Sequence, residues 1–192
     1  MVVINGKKCK LSWIWVIIAN GISMASVLGV AAGVVHLFNH ALIKAGLFMV
    51  MGCIYLRTGS VKIDDMKGLG KVMPWTMAAF VVGGFGLIGI PLTAGFISKW
   101  YLLQAAIEKG WWLAIIAILV SSLLAIIYIW RVVEAAYFQP RPKKAPAISE
   151  APWSMLVPVW VLIGASIFFG AHATLTMDVA IGAAETLLVV VG

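Results

Sequence analysis

The residues of this chain best suited to chemistry sit inside an apolar run. The stretch HLFNHALIKAGLF, residues 36–48, carries His36, His40 and Lys44 at four-residue spacing. On a helix each such step turns the side chain by only about 40°, so the three groups form one stripe. The stripe covers roughly 12 Å along the axis. Imidazole changes charge near neutral pH, and one ring nitrogen can accept while the other donates. Two imidazoles and an ammonium in a row can pass protons, directly or through intervening water. A lone histidine on an apolar face is more often a satisfied core residue, but two with a lysine on one stripe are harder to dismiss. A metal site is the weaker reading, because no Cys or carboxylate is aligned with the histidine pair.

A second group lies further along, in GIPLTAGFISKW, where Lys99 follows a cluster of Gly and Pro. Half-helix ends beside an ionisable residue are a device of membrane transporters. The plainer alternative is a hinge with a lysine near the far interface, since Lys99 is only about 15 Å of helix from Lys109. Arg131 and Glu134, three residues apart, read as a supporting ion pair, and mutual neutralisation at the interface is the preferred role for them. His172, Asp178 and Glu185 read as interfacial. Tryptophans such as Trp75, Trp111, Trp112 and Trp153 fall near expected span ends and serve as interface anchors, with no cofactor role. No nucleotide, haem or iron–sulfur pattern is present, so no cofactor and no metal are expected.

The elements that hold these residues must cross a membrane. Of the 192 residues 63% are hydrophobic and 11% charged, and the mean hydropathy is +1.07. Soluble domains run to about 45–50% apolar and about 25% charged. The formal charge of +7 comes from 14 Lys and Arg against 7 Asp and Glu. In a bilayer protein that excess marks cytoplasmic loops rather than nucleic-acid binding. Cys9 and Cys53 are too few for a disulfide or metal framework. The basic start at Lys7, Lys8 and Lys10 has the form of a signal peptide, yet the apolar run continues past any cleavage point, so an ordinary first span is preferred.

The expected fold is therefore an all-α integral membrane protein with about five or six transmembrane helices, a single transmembrane domain over residues 1–192. Spans are expected near 11–25, 28–56, 74–109, 111–138 and 153–170, with a weaker candidate at 174–190. Residues 74–109 as one helix would reach about 54 Å, against a hydrocarbon core of about 30 Å. The glycines and Pro91 within 83–95 break it, because proline removes a helical hydrogen bond and clashes with the preceding turn. One discontinuous helix, unwound near 89–95, is expected. Counted as one span, it leaves ten Lys and Arg of the N-terminus and the 57–73 and 139–152 loops on one side and Lys109 alone on the other. Two spans would give eight against three, so the positive-inside bias favours one span with both loops cytoplasmic. Lys44 lies 16 positions after Leu28 and 12 before Leu56, roughly 18 Å or more from either end. A charge at such depth costs about 2.5–3.5 kcal/mol on insertion scales. A relay role or a structural lysine paired with a carboxylate or carbonyls would each account for it.

HLFNHALIKAGLF followed by GIPLTAGFISKW resembles the antiporter-like, proton-translocating subunits shared by respiratory complex I, membrane-bound hydrogenases and Mrp-type sodium/proton antiporters. The intervening RTGSVKIDDMKGLGKVMPWTM looks most like the D-type member of the Mrp antiporters. The resemblance covers about residues 20–140. It implies that His36 and His40 are bridging histidines, Lys44 the helix lysine and Lys99 the terminal lysine beside the broken helix. It also implies a multi-pass protein of the cell inner (plasma) membrane, working with other membrane subunits of a hetero-oligomeric complex. Protons and sodium ions would be the transported ions. Family members are typically longer, with around fourteen helices in two inverted repeats, so this chain is expected to correspond to a C-terminal portion. Two alternatives remain open. One is a proton-pumping subunit of an NADH:quinone oxidoreductase or hydrogenase complex, which would make it part of an enzyme. The other is a structural subunit or truncated remnant.

Overall fold

The computed structural model describes residues 2–4, 7–9, 21–24, 26–142 and 148–191. The expected first span, 11–25, lies mostly outside the described residues, as do Lys143 and Lys144 of the 139–152 loop. Six long helices follow: α1 (Val27–Thr58), α2 (Pro74–Ile88), α3 (Ala94–Glu108), α4 (Trp112–Val133), α5 (Trp153–Ala171) and α6 (Ala173–Val191). Val27–Thr58, Trp112–Phe138 and Trp153–Ala171 are long and apolar enough to cross a membrane, and Pro74–Ile88 is a shorter apolar helix. The fold is the expected all-α membrane architecture, with one small addition. Val2–Ile4 and Lys7–Cys9 pair as an antiparallel ribbon, Val3 opposite Lys8. Its first strand is β-branched throughout, which suits extended backbone.

Helix α1 is the hub. It packs against α2, α3, α5 and α6. Ser26 caps its start by accepting from the Gly29 N–H, which satisfies one of the orphan donors of the first turn. The buried residues His36, Asn39, Ile43, Leu47, Val50 and Ile54 recur at helical spacing. From Ile43 onward they meet Met77 and Phe80 of α2, Ile129 of α4, and Leu156, Val159 and Ile163 of α5 in the main core.

Pro74 stands at the first position of α2, where its missing N–H is no loss. Glu150, on the segment leading to α5, closes that helix end. Its carboxylate accepts from the Trp75 and Ala151 backbone N–H groups and from the Thr76 hydroxyl. An anion at a helix N-terminus gains from both the free N–H groups and the macrodipole. Arg57, in the last turn of α1, donates to the Glu150 carbonyl at 2.7 Å. One segment thus straps the ends of α1 and α2 together. On the same side the Gly68 N–H bonds the Ala135 carbonyl at 3.1 Å, which ties the 57–73 loop to the π-helical turn Glu134–Phe138 that follows α4.

Helix α2 ends at Gly89, whose φ of 88° is in the left-handed region, with its N–H on the Phe85 carbonyl. Leu92 in the turn also holds a positive φ, 75°, a conformation that costs a residue with a Cβ about 1–2 kcal/mol. Helix α3 then starts beside the end of α2. A Cβ on Gly95 would run into the Gly86 carbonyl oxygen, so the two backbones cross at a distance only glycine permits.

Substitutions at two of these contacts should be felt in stability. Glu150→Ala should lower it by about 2 kcal/mol, through loss of a cap and of bonds to partly buried donors. Gly95→Ala should lower it by about 1–3 kcal/mol, through overpacking against a backbone that cannot yield. Denaturant midpoints of the detergent-solubilised protein measure both, and midpoints equal to the parent's would contradict these roles.

Candidate functional site

The polar groups of the site gather where α3 begins, beside the middle of α1 and the end of α2. His36 is 4% exposed, and its Nδ1 lies 2.9 Å from the Ser98 hydroxyl on α3. Ser98 is fully buried, and its hydroxyl also reaches the Gly95 carbonyl at 3.3 Å. Asn39, one helical turn on, donates from Nδ2 to the Ala94 carbonyl at 2.8 Å. Its Oδ1 is buried and has no hydrogen-bond partner among the described residues. Residues on one face of α1 therefore hold the first turn of α3.

Lys99, next in sequence to Ser98, points the other way. Its Nζ donates to the Leu87 carbonyl at 3.0 Å, the Ile88 carbonyl at 2.9 Å and the Ser122 hydroxyl of α4 at 2.9 Å. An ammonium has three donors and no acceptor, and all three are used. Two of the acceptors are carbonyls that the end of α2 leaves without helical partners. A cation there also complements the helix C-terminus. A small cavity of about 140 Å³ adjoins it, lined by Gly89, Phe96, Lys99, Trp100, Leu119 and Ser122 among others.

The ring centroids of His36 and His40 are 5.8 Å apart. Burial falls along the stripe: His36 is buried, whereas His40 and Lys44 are half-buried. Lys44 has no hydrogen-bond or ion-pair partner among the described residues, so neither the carboxylate nor the carbonyls considered for it are found there.

Arg131 and Glu134 are both at least partly exposed. The single ion pair among the described residues joins Lys67 to Asp64. Glu134 keeps helical backbone, with its N–H on the Trp130 and Arg131 carbonyls, and the π turn runs on from it to Phe138. His172, at the end of α5, is exposed and stacks on Phe168. Asp178 and Glu185 are exposed on α6. Among the described residues no group of three or more His, Cys, Asp or Glu is placed to hold a metal ion. Four residues that the sequence does not single out belong to these contacts: Asn39, Ser98, Ser122 and Glu150. The usable signal was weak: three are small polar residues in otherwise apolar helices, where such groups usually bond across to a neighbour.

The chain has relatives in sequence and in fold. The model of the family described as NADH:quinone oxidoreductase/Mrp antiporter, TM, matches residues 14–125. NADH-quinone oxidoreductase subunit N of Desulforudis audaxviator is 38% identical over 154 residues, 74% of this chain and 31% of that protein. F(420)H(2) dehydrogenase subunit N of Methanosarcina mazei is 32% identical over 181 residues, 89% of this chain and 36% of that protein. A chain of the Mrp complex from Dietzia sp. DQ12-45-1b has the same fold, with a TM-score of 0.83 at 22% identity over 89% of this chain and 40% of that one. The chain thus spans about a third of the length of these curated relatives. More than half of its residues fall inside the family match, and it belongs to the NADH:quinone oxidoreductase/Mrp antiporter transmembrane family.

Proposed function

We propose that this chain carries protons across the membrane as part of an antiporter-like subunit of a multisubunit complex. The observation that carries the reading is the environment of Lys99. A lysine within the apolar part of the fold is held by three neutral acceptors across the α2–α3 junction. Through its neighbour Ser98 it adjoins the buried ring of His36. In this reading α2 and α3 are the halves of one discontinuous span, Lys44 and Lys99 alternate between charged and neutral forms, and His36 and His40 bridge them. Arg131 and Glu134 are left outside this path.

Loss of a proton from Lys99 leaves two N–H donors for the Leu87 and Ile88 carbonyls and a lone pair that accepts from the Ser122 hydroxyl, so the bond to α4 reverses direction. Proton occupancy is thereby tied to the direction of the hydrogen bond between Lys99 and Ser122. The driving force comes from an ion gradient or from a redox partner. The basic loops 57–73 and 139–152 face the cytoplasm, with the chain in the cell inner membrane, by the excess of Lys and Arg they carry.

Two drivers fit the same proton chemistry. An Mrp-type cation/proton exchanger is supported by the motif between the two lysine segments and agrees with the fold of the Dietzia structure. A redox-driven complex is supported by the similarity to the oxidoreductase subunit of Desulforudis audaxviator. Proton movement driven by an imposed sodium gradient in membrane vesicles supports the first, and movement that requires an electron donor and acceptor supports the second.

The reading predicts that Lys44→Ala or Lys99→Ala in the assembled complex abolishes proton-coupled transport while the complex still assembles. Proton flux in vesicles and recovery of the complex by size-exclusion chromatography are the measurements. Undiminished flux in both variants would overturn the relay and favour a structural subunit.

A further inference from the structure

The contact between His36 and Ser98 constrains where the histidine carries its proton. Both residues are buried, 4% and 0% exposed, so water does not compete freely for either. Ser98 has one hydroxyl proton and two neighbours within reach, the Gly95 carbonyl at 3.3 Å and His36 Nδ1 at 2.9 Å. A carbonyl oxygen can only accept, whereas a neutral imidazole donates at one nitrogen and accepts at the other.

Two arrangements are open to the group. If Ser98 gives its proton to the ring, Nδ1 is the acceptor, and the contact with Gly95 ceases to be a hydrogen bond. If Ser98 gives its proton to Gly95, its lone pair accepts from an Nδ1–H, and both contacts are hydrogen bonds. The second arrangement makes two bonds where the first makes one. The bond made by one ring nitrogen decides what the other is free to do.

We propose that Ser98 is a positioning residue that holds neutral His36 as its Nδ1–H tautomer, leaving Nε2 as the atom that takes up and releases a proton. The ring then has one nitrogen engaged by α3 and the other available to the polar stripe on α1, where the His40 centroid is 5.8 Å away. Ser98 and Lys99 are consecutive on α3 and grip different neighbours, α1 on one side and α2 with α4 on the other. A rotation of α3 that frees Lys99 would also withdraw Ser98 from His36 and release the tautomer. The use made of Nε2 rests on the relay reading, but the tautomer itself does not.

The test is ¹⁵N NMR of the histidine-labelled full chain in lipid bilayers at mildly alkaline pH, with the His36 signal identified by its loss in His36→Gln. The expected result is a protonated Nδ1 and an unprotonated Nε2 in the parent. Ser98→Ala should shift the population toward Nε2–H, and Ser98→Thr, which keeps the hydroxyl, should restore the parent pattern. In the assembled complex Ser98→Ala should slow proton flux about tenfold, the scale of one hydrogen bond to a reacting group, with recovery in Ser98→Thr. An Nε2–H ring in the parent, or a tautomer unmoved by Ser98→Ala, would overturn the assignment. The parent spectrum decides the matter even if the alanine variant fails to fold. A wrong tautomer with Lys44 and Lys99 still essential would remove only the role of Ser98. Undiminished flux in both lysine variants would remove the relay and leave the tautomer assignment standing.

Discussion

A helix that stops inside an apolar medium leaves carbonyls at its end and N–H groups at the start of the next segment, and no solvent is there to bond them. Such breaks persist only where protein or a water-lined cavity satisfies the freed groups. Side chains of three helices meet at the junction of α2 and α3. Lys99 covers the Leu87 and Ile88 carbonyls, Asn39 reaches Ala94 from α1, and Ser122 holds Lys99 from α4. Gly95 lets the two backbones approach closely enough for the lysine to span them. The groups that bond the carbonyls ending α2 therefore include an ionisable side chain, Lys99.

The geometry of α1 explains why the site is graded rather than uniform. A four-residue spacing overshoots a full turn by about 40°, so His36, His40 and Lys44 roll about 80° around the helix. The buried face follows the closer 3.6-residue period through His36, Asn39, Ile43, Leu47, Val50 and Ile54. His36 shares that face and meets α3. His40 is at its edge, and Lys44 has turned toward the flank where Phe48 is 63% exposed. One stripe in the sequence thus becomes a path leading from the interior of this bundle to its surface. A half-buried lysine without a partner among the described residues stands at the outer end of that path.

Much of this was legible in the sequence, and what was not shares a cause. Glycines and Pro91 mark the junction of α2 and α3 because backbone chemistry is local, and Pro74 marks the start of α2 for the same reason. The partners of Asn39, Ser98 and Glu150 are separated from them by 55, 62 and 75 residues. No periodicity within one helix encodes such pairings. Arg131 and Glu134 went the other way: spacing suggested a pair, but both are exposed, where water competes for each charge. The ribbon at 2–4 and 7–9 carries none of the long apolar runs that mark the helices.

The two ends of α2 are built differently, and that difference bears on where any motion would occur. At its start, Glu150 bonds two backbone N–H groups and the Thr76 hydroxyl, while Arg57 secures the same segment to α1. At its far end the Leu87 and Ile88 carbonyls bond a single flexible side chain, Lys99. Backbone N–H groups held by a fixed carboxylate have no reason to rearrange when a proton moves elsewhere. An amine that loses a proton keeps two donors and gains a lone pair, so the bond between Lys99 and the Ser122 hydroxyl must reverse. A change of charge at Lys99 is therefore felt first at Ser122 of α4 and at the two carbonyls ending α2, none of which belongs to the strapped end. Because Ser98 is next to Lys99 on α3, one helix joins that lysine to His36 on α1 through adjacent residues.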